Sequence, residues 1–365
     1  MPTMAEETVA HSKSVFPLYL QTPLVMKLPT LLPFMCACLL LAGCAHRTPS
    51  PAAELATDSI RTDTTPTRPA PKPLLKGTDI VIEKDLLYDK YTLKDTYPQK
   101  DTAWSFKWTL IEEWLAEVEN MQRDSTCRWV VMQNYKNRNR EAPVVRNYHR
   151  NDYGRVSDSL NIERYQSAPL YLLTDTAVPE RYGRDGTLAY GEGEEGSFMR
   201  IRLTGSGEKW LVPKRYLKEL PDSTRFRHVI IVDRGSQHIA TLERQAEGHW
   251  LVRSMNPCTT GRRRPPYAQP TPLGMFLLQE KKRRMVYLKD GSAEHGGFAP
   301  YACRFTNGAY LHGVPVNAPH TQEIEYSYSL GTTPRSHMCV RVATSHGKFI
   351  YEWAPVLQSL IIVIE

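Results

Sequence analysis

Cysteine is scarce in this chain of 365 residues, and three of its seven cysteines precede residue 45. The remaining four, Cys127, Cys258, Cys303 and Cys339, include no Cys-x-x-Cys pair. That absence argues against a zinc site of the kind built on paired cysteines. One disulfide among Cys127, Cys258 and Cys303 stays open, because pairing cannot be derived from sequence.

Long apolar runs are also missing. The run at residues 28–40 is interrupted by two prolines, and the apolar stretch at residues 356–365 is short. A membrane-spanning helix needs about 20 apolar residues, so we expect neither stretch to cross a bilayer. We interpret residues 356–365 as a packed strand.

Charge of one sign is only mildly in excess. The chain has 46 lysines and arginines against 39 acidic residues, which gives a net charge of +7. No nucleic-acid-binding motif accompanies this excess, and we predict no nucleic-acid partner. We interpret the basic runs at residues 262–264 and 281–284 as solvated loops.

Residues 1–43 have the features of a lipoprotein signal peptide. Lys27 precedes the apolar run, which ends in Leu-Ala-Gly-Cys at residues 41–44. This ending resembles the bacterial lipobox, where a peptidase cleaves before the cysteine and the cysteine carries the lipid. The resemblance implies lipid attachment at Cys44 and, because Ala45 follows, an outer-membrane lipoprotein of the cell envelope that faces the periplasm. A plain signal peptide is the alternative.

Residues 44–77 are rich in proline, threonine and alanine and show no apolar periodicity. This composition is typical of a disordered, semi-extended tether. At about 3.1 Å per residue, ~30 extended residues reach roughly 100 Å. Such a length lets a lipid-anchored domain reach a neighbouring layer.

An α+β region is expected over residues 78–166. A strand is predicted at residues 80–82, and Asp101 is predicted to cap a helix over residues 102–121. Apolar residues recur along that helix at four-three spacing and predict a face for core packing: Trp104, Trp108, Ile111, Leu115 and Val118.

Short strands separated by glycine turns are predicted over residues 167–222, a pattern that indicates a small β-barrel. The closing segment, residues 210–216, reads Trp-Leu-Val-Pro followed by a tyrosine. It resembles a bacterial Src-homology-3-like domain. The resemblance implies either a module that binds peptides or cell wall, or a barrel that only packs against its neighbour.

The chemistry-bearing residues are concentrated near the C-terminus. His312-Gly313 directly follows the apolar residues 310–311. The sequence Ser-His-Met-Cys-Val-Arg comes later, at residues 336–341. A thiol and an imidazole are the minimum set for a thiol nucleophile, because the imidazole removes the thiol proton or stabilises the thiolate.

These two segments resemble the L,D-transpeptidase catalytic domain of bacterial cell-wall enzymes. That family has a histidine, a variable gap, then Ser/Thr-His-Gly-Cys, a hydrophobic residue and Asn or Arg. Upstream, a predicted hairpin, a Thr-Thr-Gly turn at residues 259–261 and a Thr-Pro-x-Gly-x-Phe segment at residues 271–276 keep the family's order. We therefore expect a mainly β chain, with an L,D-transpeptidase-like β-sandwich over residues 225–365 preceded by the small barrel and the helical segment.

The resemblance implies the roles of the site residues. Cys339 would attack the peptide bond between diaminopimelate and D-alanine in a peptidoglycan stem tetrapeptide, and His312 would be its base. His320 fits the family spacing better but lacks the strand-then-glycine context. Ser336 and His337 would orient the nucleophile or hold the substrate.

Substrate binding is predicted for Arg341, Gly313 and Met338, and the backbone N–H groups of residues 338 and 339 would form an oxyanion hole. No cofactor is expected. No metal is expected either, because a zinc site of His312, His337 and Cys339 lacks metal-type spacing.

Two departures from the family pattern bear on activity. Met338 stands where the family has glycine, and the gap from His312 to Ser336 is longer than usual. A methionine held at φ > 0 would be strained by about 1–3 kcal/mol, so we predict an ordinary backbone there, with the side chain packed on the sheet. The longer gap segment is predicted to lid the groove in part.

Three functions follow from these alternatives. The first is a lipid-anchored transpeptidase that passes the thioester to an amine. The second is an L,D-carboxypeptidase, for which water is the acceptor. The third is a non-catalytic peptidoglycan-binding lipoprotein in which Met338 marks a decayed site.

Overall fold

The computed structural model describes residues 73–124 and 128–365. The predicted signal peptide, Cys44, most of the predicted tether and Cys127 lie outside these residues. The described residues fall within one compact unit, Pro69–Glu365. In this part of the chain no helix is long and apolar enough to cross a membrane.

The N-terminal elements combine short strands with one long helix. They are β1 (Val81–Lys84), β2 (Thr96–Gln99), β3 (Thr102–Ser105), α1 (Trp108–Arg123), β4 (Arg128–Met132), β5 (His149–Arg150) and β6 (Val156–Ser157). The predicted helix start at residue 102 is wrong, because β2 and β3 pair as a hairpin and Asp101 lies in its turn. In this hairpin Tyr97 opposes Trp104, and the rings meet edge to face at 6.5 Å. This cross-strand aromatic pair favours the strand over local helix propensity.

The apolar face of α1 is a core face, as predicted. Ile111, Leu115 and Val118 are fully buried, whereas Trp104 and Trp108 are only partly buried. The face packs on β-strand residues of the C-terminal half, which include Val229, Leu242, Trp250 and Leu360. The helix is therefore part of the same core as the region that carries the site.

The middle of the chain forms a five-stranded antiparallel sheet. Its strands are β9 (Leu188–Glu195), β10 (Phe198–Leu203), β11 (Lys209–Pro213) and β12 (Leu217–Glu219), together with β4, and a separate hairpin is formed by β7 (Ser167–Leu170) and β8 (Arg181–Arg184). The order is β11-β10-β9-β4-β12, and the β7–β8 hairpin contacts β11 through Tyr171 and Leu211. One strand of this sheet, β4, thus comes from before residue 167.

The C-terminal half contains two further sheets and a second helix. Its elements are β13 (His228–Asp233), β14 (His238–Ala246), β15 (His249–Pro257), β16 (Gly274–Leu277), β17 (Glu280–Leu288), β18 (His295–Thr306), β19 (Ala309–His312), β20 (Val316–Asn317), β21 (Val340–Arg341), α2 (Thr344–Trp353) and β22 (Ser359–Ile364). The larger sheet has the order β1-β15-β14-β13-β22-β16, and the smaller has β17-β18-β19-β21 with β20 beside β18.

Successive residues of the inner strands of the larger sheet point to opposite faces, and both faces are buried. Ile230, Val232 and Ile361 pack against the smaller sheet and α2, whereas Val229 and Leu360 pack against α1. The predicted hairpin is confirmed as β13–β14, and the apolar C-terminal stretch forms the fully buried strand β22, which lies between β13 and β16. The chain is mainly β, as expected.

The second basic run was predicted wrongly as a loop. Residues 281–284 lie in β17, whose partner is β18. The guanidinium groups of Arg283 and Arg284 lie 3.9 and 4.5 Å from the ring centroids of Tyr301 and Phe298. Stacking on aromatic faces lets such charges line a strand without losing solvent contact.

Candidate active site

Parallel pairing of β19 with β21 brings the two chemistry-bearing segments together. Leu311 pairs with Val340, and His312 pairs with Arg341. Leu311 and Val340 enter the core between the sheets, so His312 and Arg341 share the opposite face. By the same alternation Cys339 falls on the face of Arg341.

The Cys339 thiol lies beside the turn between β18 and β19. The Tyr310 N–H donates to its sulfur at 3.4 Å, and the thiol lies 3.8 Å from the Gly308 carbonyl oxygen. Burial raises the pKa of this thiol above its ordinary 9.0, although the Tyr310 N–H and the Arg341 charge act in the opposite direction. The thiol is half-buried and neutral at neutral pH.

His312 is buried at the end of β19. Its Nδ1 lies 2.6 Å from the Gly313 carbonyl oxygen, and because that oxygen only accepts, Nδ1 carries the proton and Nε2 is the basic nitrogen. Burial lowers the pKa of His312 to about 4, and the charge of Arg341 acts in the same direction. No hydrogen bond joins His312 to the Cys339 thiol among the described residues.

His320, the other candidate base, is exposed in the loop after β20. Its backbone N–H bonds to Asn317, and it lies on no strand. The pairing of β19 with β21 therefore brings His312, rather than His320, next to the Cys339 segment.

Ser336 and His337 do not face the thiol. Ser336 is buried, and its hydroxyl donates to the Cys339 carbonyl oxygen, which braces the turn. The His337 side chain is 48% exposed and pairs with Asp290 at 2.9 Å. Both residues thus position the loop or line the surface around the nucleophile.

Arg341 and Gly313 occupy different environments. The Arg341 side chain is half-buried, its Nε is buried without a partner, and within the described residues it makes no ion pair. Such a guanidinium is available to a carboxylate. Gly313 is buried, and a side chain there would meet Thr344 and Pro300. Its role in this structure is to support His312 rather than to contact substrate.

The two upstream motifs hold the nucleophile segment in place. Thr259 pairs with Arg341 through both backbone groups, and Gly261 bridges Ser336. Gly261 also abuts Met338, because an added Cβ would lie 2.8 Å from the Met338 Cα. Thr271 accepts from the Gly261 N–H and donates to the Met338 carbonyl oxygen, each at 2.8 Å.

Met338 adopts an ordinary backbone conformation, as predicted, since it is absent from the residues with positive φ. Its half-buried side chain packs against the core between the two sheets. Among the described residues no acceptor takes the N–H of Met338 or of Cys339. Two free N–H groups beside a thiol are the donors that an oxyanion hole requires.

A cleft of about 590 Å³ adjoins this turn, and the gap segment does not line it. The gap segment therefore forms no lid over this cleft, and a lid along the face of His312 and Arg341 stays a prediction. Residues 313–335 are held elsewhere: the Glu325 carboxylate bonds Ser345 and pairs with Lys90, and Tyr326 packs on Tyr91. The opposite wall instead comes from residues 141–166 of the N-terminal region.

Sequence reasoning missed this wall and the turn at Asn307-Gly308. An Asn-Gly pair between two apolar strands is a strong hairpin signal, and it was available in the sequence. The wall has no local signal, because contacts over more than a hundred residues leave no periodicity.

The other described cysteines are unsuited to chemistry. Cys258 and Cys303 are free and fully buried, so the described residues contain no disulfide between them. Burial raises the pKa of Cys303 to about 12, and burial also raises the pKa of Cys258 well above its ordinary value. Within the described ranges, no group of three or more histidine, cysteine or acidic residues is arranged to hold a metal ion.

Comparison with known proteins identifies the C-terminal region. Residues 227–363 match the family model YkuD, the L,D-transpeptidase catalytic domain, which confirms the resemblance inferred from sequence. A comparison with curated proteins gave no match.

Several solved L,D-transpeptidases share low similarity with the chain. One, in complex with imipenem, is 18% identical, covers 51% of this chain and 71% of its own, and has a TM-score of 0.30. The enzyme from Mycobacterium smegmatis is 18% identical, with coverages of 47% and 79% and a TM-score of 0.31. L,D-transpeptidase 3 from Mycobacterium tuberculosis, with a faropenem-derived adduct, is 19% identical, with coverages of 43% and 73% and a TM-score of 0.30.

Proposed function

We propose that this protein is a peptidoglycan L,D-transpeptidase that works through a thioester on Cys339. One observation carries the proposal: β19 and β21 pair so that a half-buried thiol, a neutral imidazole and an unpaired guanidinium share one sheet face. The match of residues 227–363 to the catalytic-domain family supports the same conclusion.

The first half-reaction forms the thioester. The sulfur of Cys339 attacks the carbonyl carbon of the bond between diaminopimelate and D-alanine, and Nε2 of His312 takes the thiol proton. The C–N bond then breaks, and the proton passes to the amine of the departing D-alanine. In the second half-reaction an amine attacks the thioester, the C–S bond breaks, and the thiol is restored.

His312 is suited to the role of general base. With a pKa near 4 it is neutral at neutral pH and able to accept a proton. Since the thiol is also neutral, proton transfer accompanies attack rather than precedes it. A positioned base contributes about 10²–10⁴-fold to such a step.

The negative charge on the carbonyl oxygen would be received by the free N–H groups of residues 338 and 339. Removing one such donor costs about 10²–10³-fold in turnover in enzymes where it has been tested. Arg341 would hold a carboxylate of the stem peptide, because its side chain lacks an ion-pair partner in the described part of the chain.

The alternatives differ in acceptor and in competence. Water as acceptor gives an L,D-carboxypeptidase, and the two reactions are separated by whether cross-linked product forms with an added amine. A non-catalytic wall-binding protein with a site decayed at Met338 is disfavoured, because Met338 is unstrained and the thiol adjoins an open cleft.

We place the protein in the cell envelope, as an outer-membrane lipoprotein that faces the periplasm. The support is the sequence Leu-Ala-Gly-Cys at residues 41–44 and the tether that follows. When cells that express the protein are fractionated, Cys44→Ser is expected to shift the protein from the membrane fraction to the soluble fraction. Retention of that variant in membranes would place the anchor elsewhere.

The activity is tested by turnover of a disaccharide tetrapeptide ending in diaminopimelate–D-alanine. Release of D-alanine is expected from the full chain and not from Cys339→Ala. Cys303→Ala is the matched control, since it removes a fully buried thiol in the core between the sheets, on the opposite side of β19 from the cleft-facing residues. Equal turnover by Cys339→Ala and the unmodified chain would overturn the assignment.

A further inference from the structure

The cleft beside the thiol is built from two distant parts of the sequence. One wall contains Asn307, Gly308, His337 and Met338, and the other contains residues from the 141–166 segment. The Gly308 carbonyl oxygen lies 3.8 Å from the Cys339 sulfur and Met338 precedes Cys339 in the chain, so the first wall of the cleft borders the nucleophile. The second wall lies outside the matched region, residues 227–363.

The second wall is fixed to the catalytic half. The Tyr153 hydroxyl donates to the Ala268 carbonyl oxygen at 2.9 Å. The Gln269 amide donates to the Glu163 carboxylate at 2.6 Å, and Glu163 is only 6% exposed. These contacts fix the second wall to residues 268 and 269 of the catalytic half.

The cleft presents charges of both signs. Arg155 pairs with Glu163 at 2.8 Å, and Arg164 pairs with Glu141 at 3.4 Å. In each pair one side chain is close to half exposed, at 45% for Arg155 and 48% for Glu141. Arg155 and Glu141 are thus each held by an ion-pair partner and each keep an exposed side that a ligand can reach.

An unsatisfied polar group points independently to a ligand. Asn307 is 5% exposed, and its Oδ1 is buried without a hydrogen-bond partner in the described residues. Buried polar atoms are nearly always paired, so a lone acceptor in a cleft lining is suited to an N–H donor from a bound molecule.

We propose that this cleft is a substrate subsite that binds an amino-acid end carrying both a free ammonium and a free carboxylate. Glu141 attracts the ammonium, Arg155 attracts the carboxylate, and the Asn307 carboxamide accepts a hydrogen bond from the ligand. The inference rests on the proposed function, because the side-chain end of diaminopimelate in a stem peptide has this chemistry. Residues 141–166 thereby act in substrate selection.

The test is calorimetric binding to the full chain carrying Cys339→Ala. The probes are the tetrapeptide Ala–Glu–diaminopimelate–Ala and the same peptide acetylated on the diaminopimelate side-chain amine. Acetylation is expected to weaken binding about tenfold, because it removes the ammonium charge and leaves only the carboxylate for the cleft to recognise.

Two variants locate the effect. Asn307→Gly removes the carboxamide yet tolerates the positive φ of 38° at this turn, and Glu141→Gln removes one exposed charge. Each is expected to raise the Kd of the unmodified tetrapeptide about five- to tenfold. Glu195→Gln is the matched control, because Glu195 forms a comparable exposed ion pair with Arg200 away from the cleft.

The outcomes separate this inference from the proposed function. If the unmodified chain turns over the tetrapeptide but acetylation and both variants change Kd less than twofold, the subsite is wrong and the function stands. If the unmodified chain forms no thioester at all, both fail. Should Asn307→Gly not fold, Glu141→Gln and the acetylated peptide still decide the matter.

Discussion

In the free protein Cys339 is expected to rest as a neutral thiol rather than as the thiolate of a preformed ion pair with His312. Burial raises the pKa of its thiol above the ordinary value, so the thiol is protonated at pH 7. His312, with a pKa of about 4, is protonated to only ~0.1% at that pH. The thiolate–imidazolium pair found in some cysteine enzymes is therefore negligible in the free protein.

Alkylation by iodoacetamide at varied pH measures this directly. The rate at Cys339, followed by peptide mass spectrometry, is expected to rise about tenfold per pH unit from pH 6 to 9, because only the thiolate reacts. Cys258 and Cys303 are internal controls that stay unmodified in the folded protein, since both are fully buried. A plateau in the rate between pH 5 and 8 would refute the reasoning, because it is the signature of an ion pair.

Three further predictions concern His312 as the general base, the ion pair between Asp185 and Arg304, and the stability of residues 225–365 as a separate fragment. His312→Gln is expected to lower turnover by about 10²–10⁴-fold while His320→Gln leaves it nearly unchanged, and the reverse result would move the base to His320. In the unmodified enzyme, turnover is expected to fall below about pH 4, where His312 becomes protonated and can no longer accept the thiol proton. Asp185→Ala should destabilise the fold by about 3 kcal/mol in urea unfolding, the low end of the cost of breaking a buried ion pair, because Arg304 loses its 2.6 Å partner and keeps only Glu280 at 3.3 Å. Glu195→Ala, at an exposed pair, should change little, and equal effects of the two variants would contradict this prediction. A fragment of residues 225–365 should lack cooperative unfolding, since it loses α1 from the face that contains Trp250, whereas a melting temperature equal to that of the full chain would show that the helix is dispensable.

Local patterns predicted the elements whose burial is set by their own sequence. The hairpin β13–β14 and the apolar strand β22 follow directly from alternating or continuous apolar residues. The buried face of α1 also follows from its spacing, but its start does not. Residues 102–105 were predicted as helix and are a strand, because Tyr97 supplies a cross-strand partner that a helical window cannot include.

The candidate site was likewise predicted from the sequence only in part. The His-Gly and Ser-His-Met-Cys-Val-Arg segments were visible, and His312 was preferred to His320 from its strand context. That Ser336 braces the turn and that His337 pairs with Asp290 depend on the path of the loop, which the sequence pattern does not specify. The wall from residues 141–166 was missed because it is made only by long-range contacts.

The account depends most on Cys339 as the acylated residue. Intact-protein and peptide mass spectrometry after incubation with a carbapenem, and separately with the disaccharide tetrapeptide, tests it directly. We predict one covalent adduct per chain, located on Cys339 and absent in Cys339→Ala. A chain that stays unmodified by both reagents, or an adduct located on another residue, would contradict the central claim.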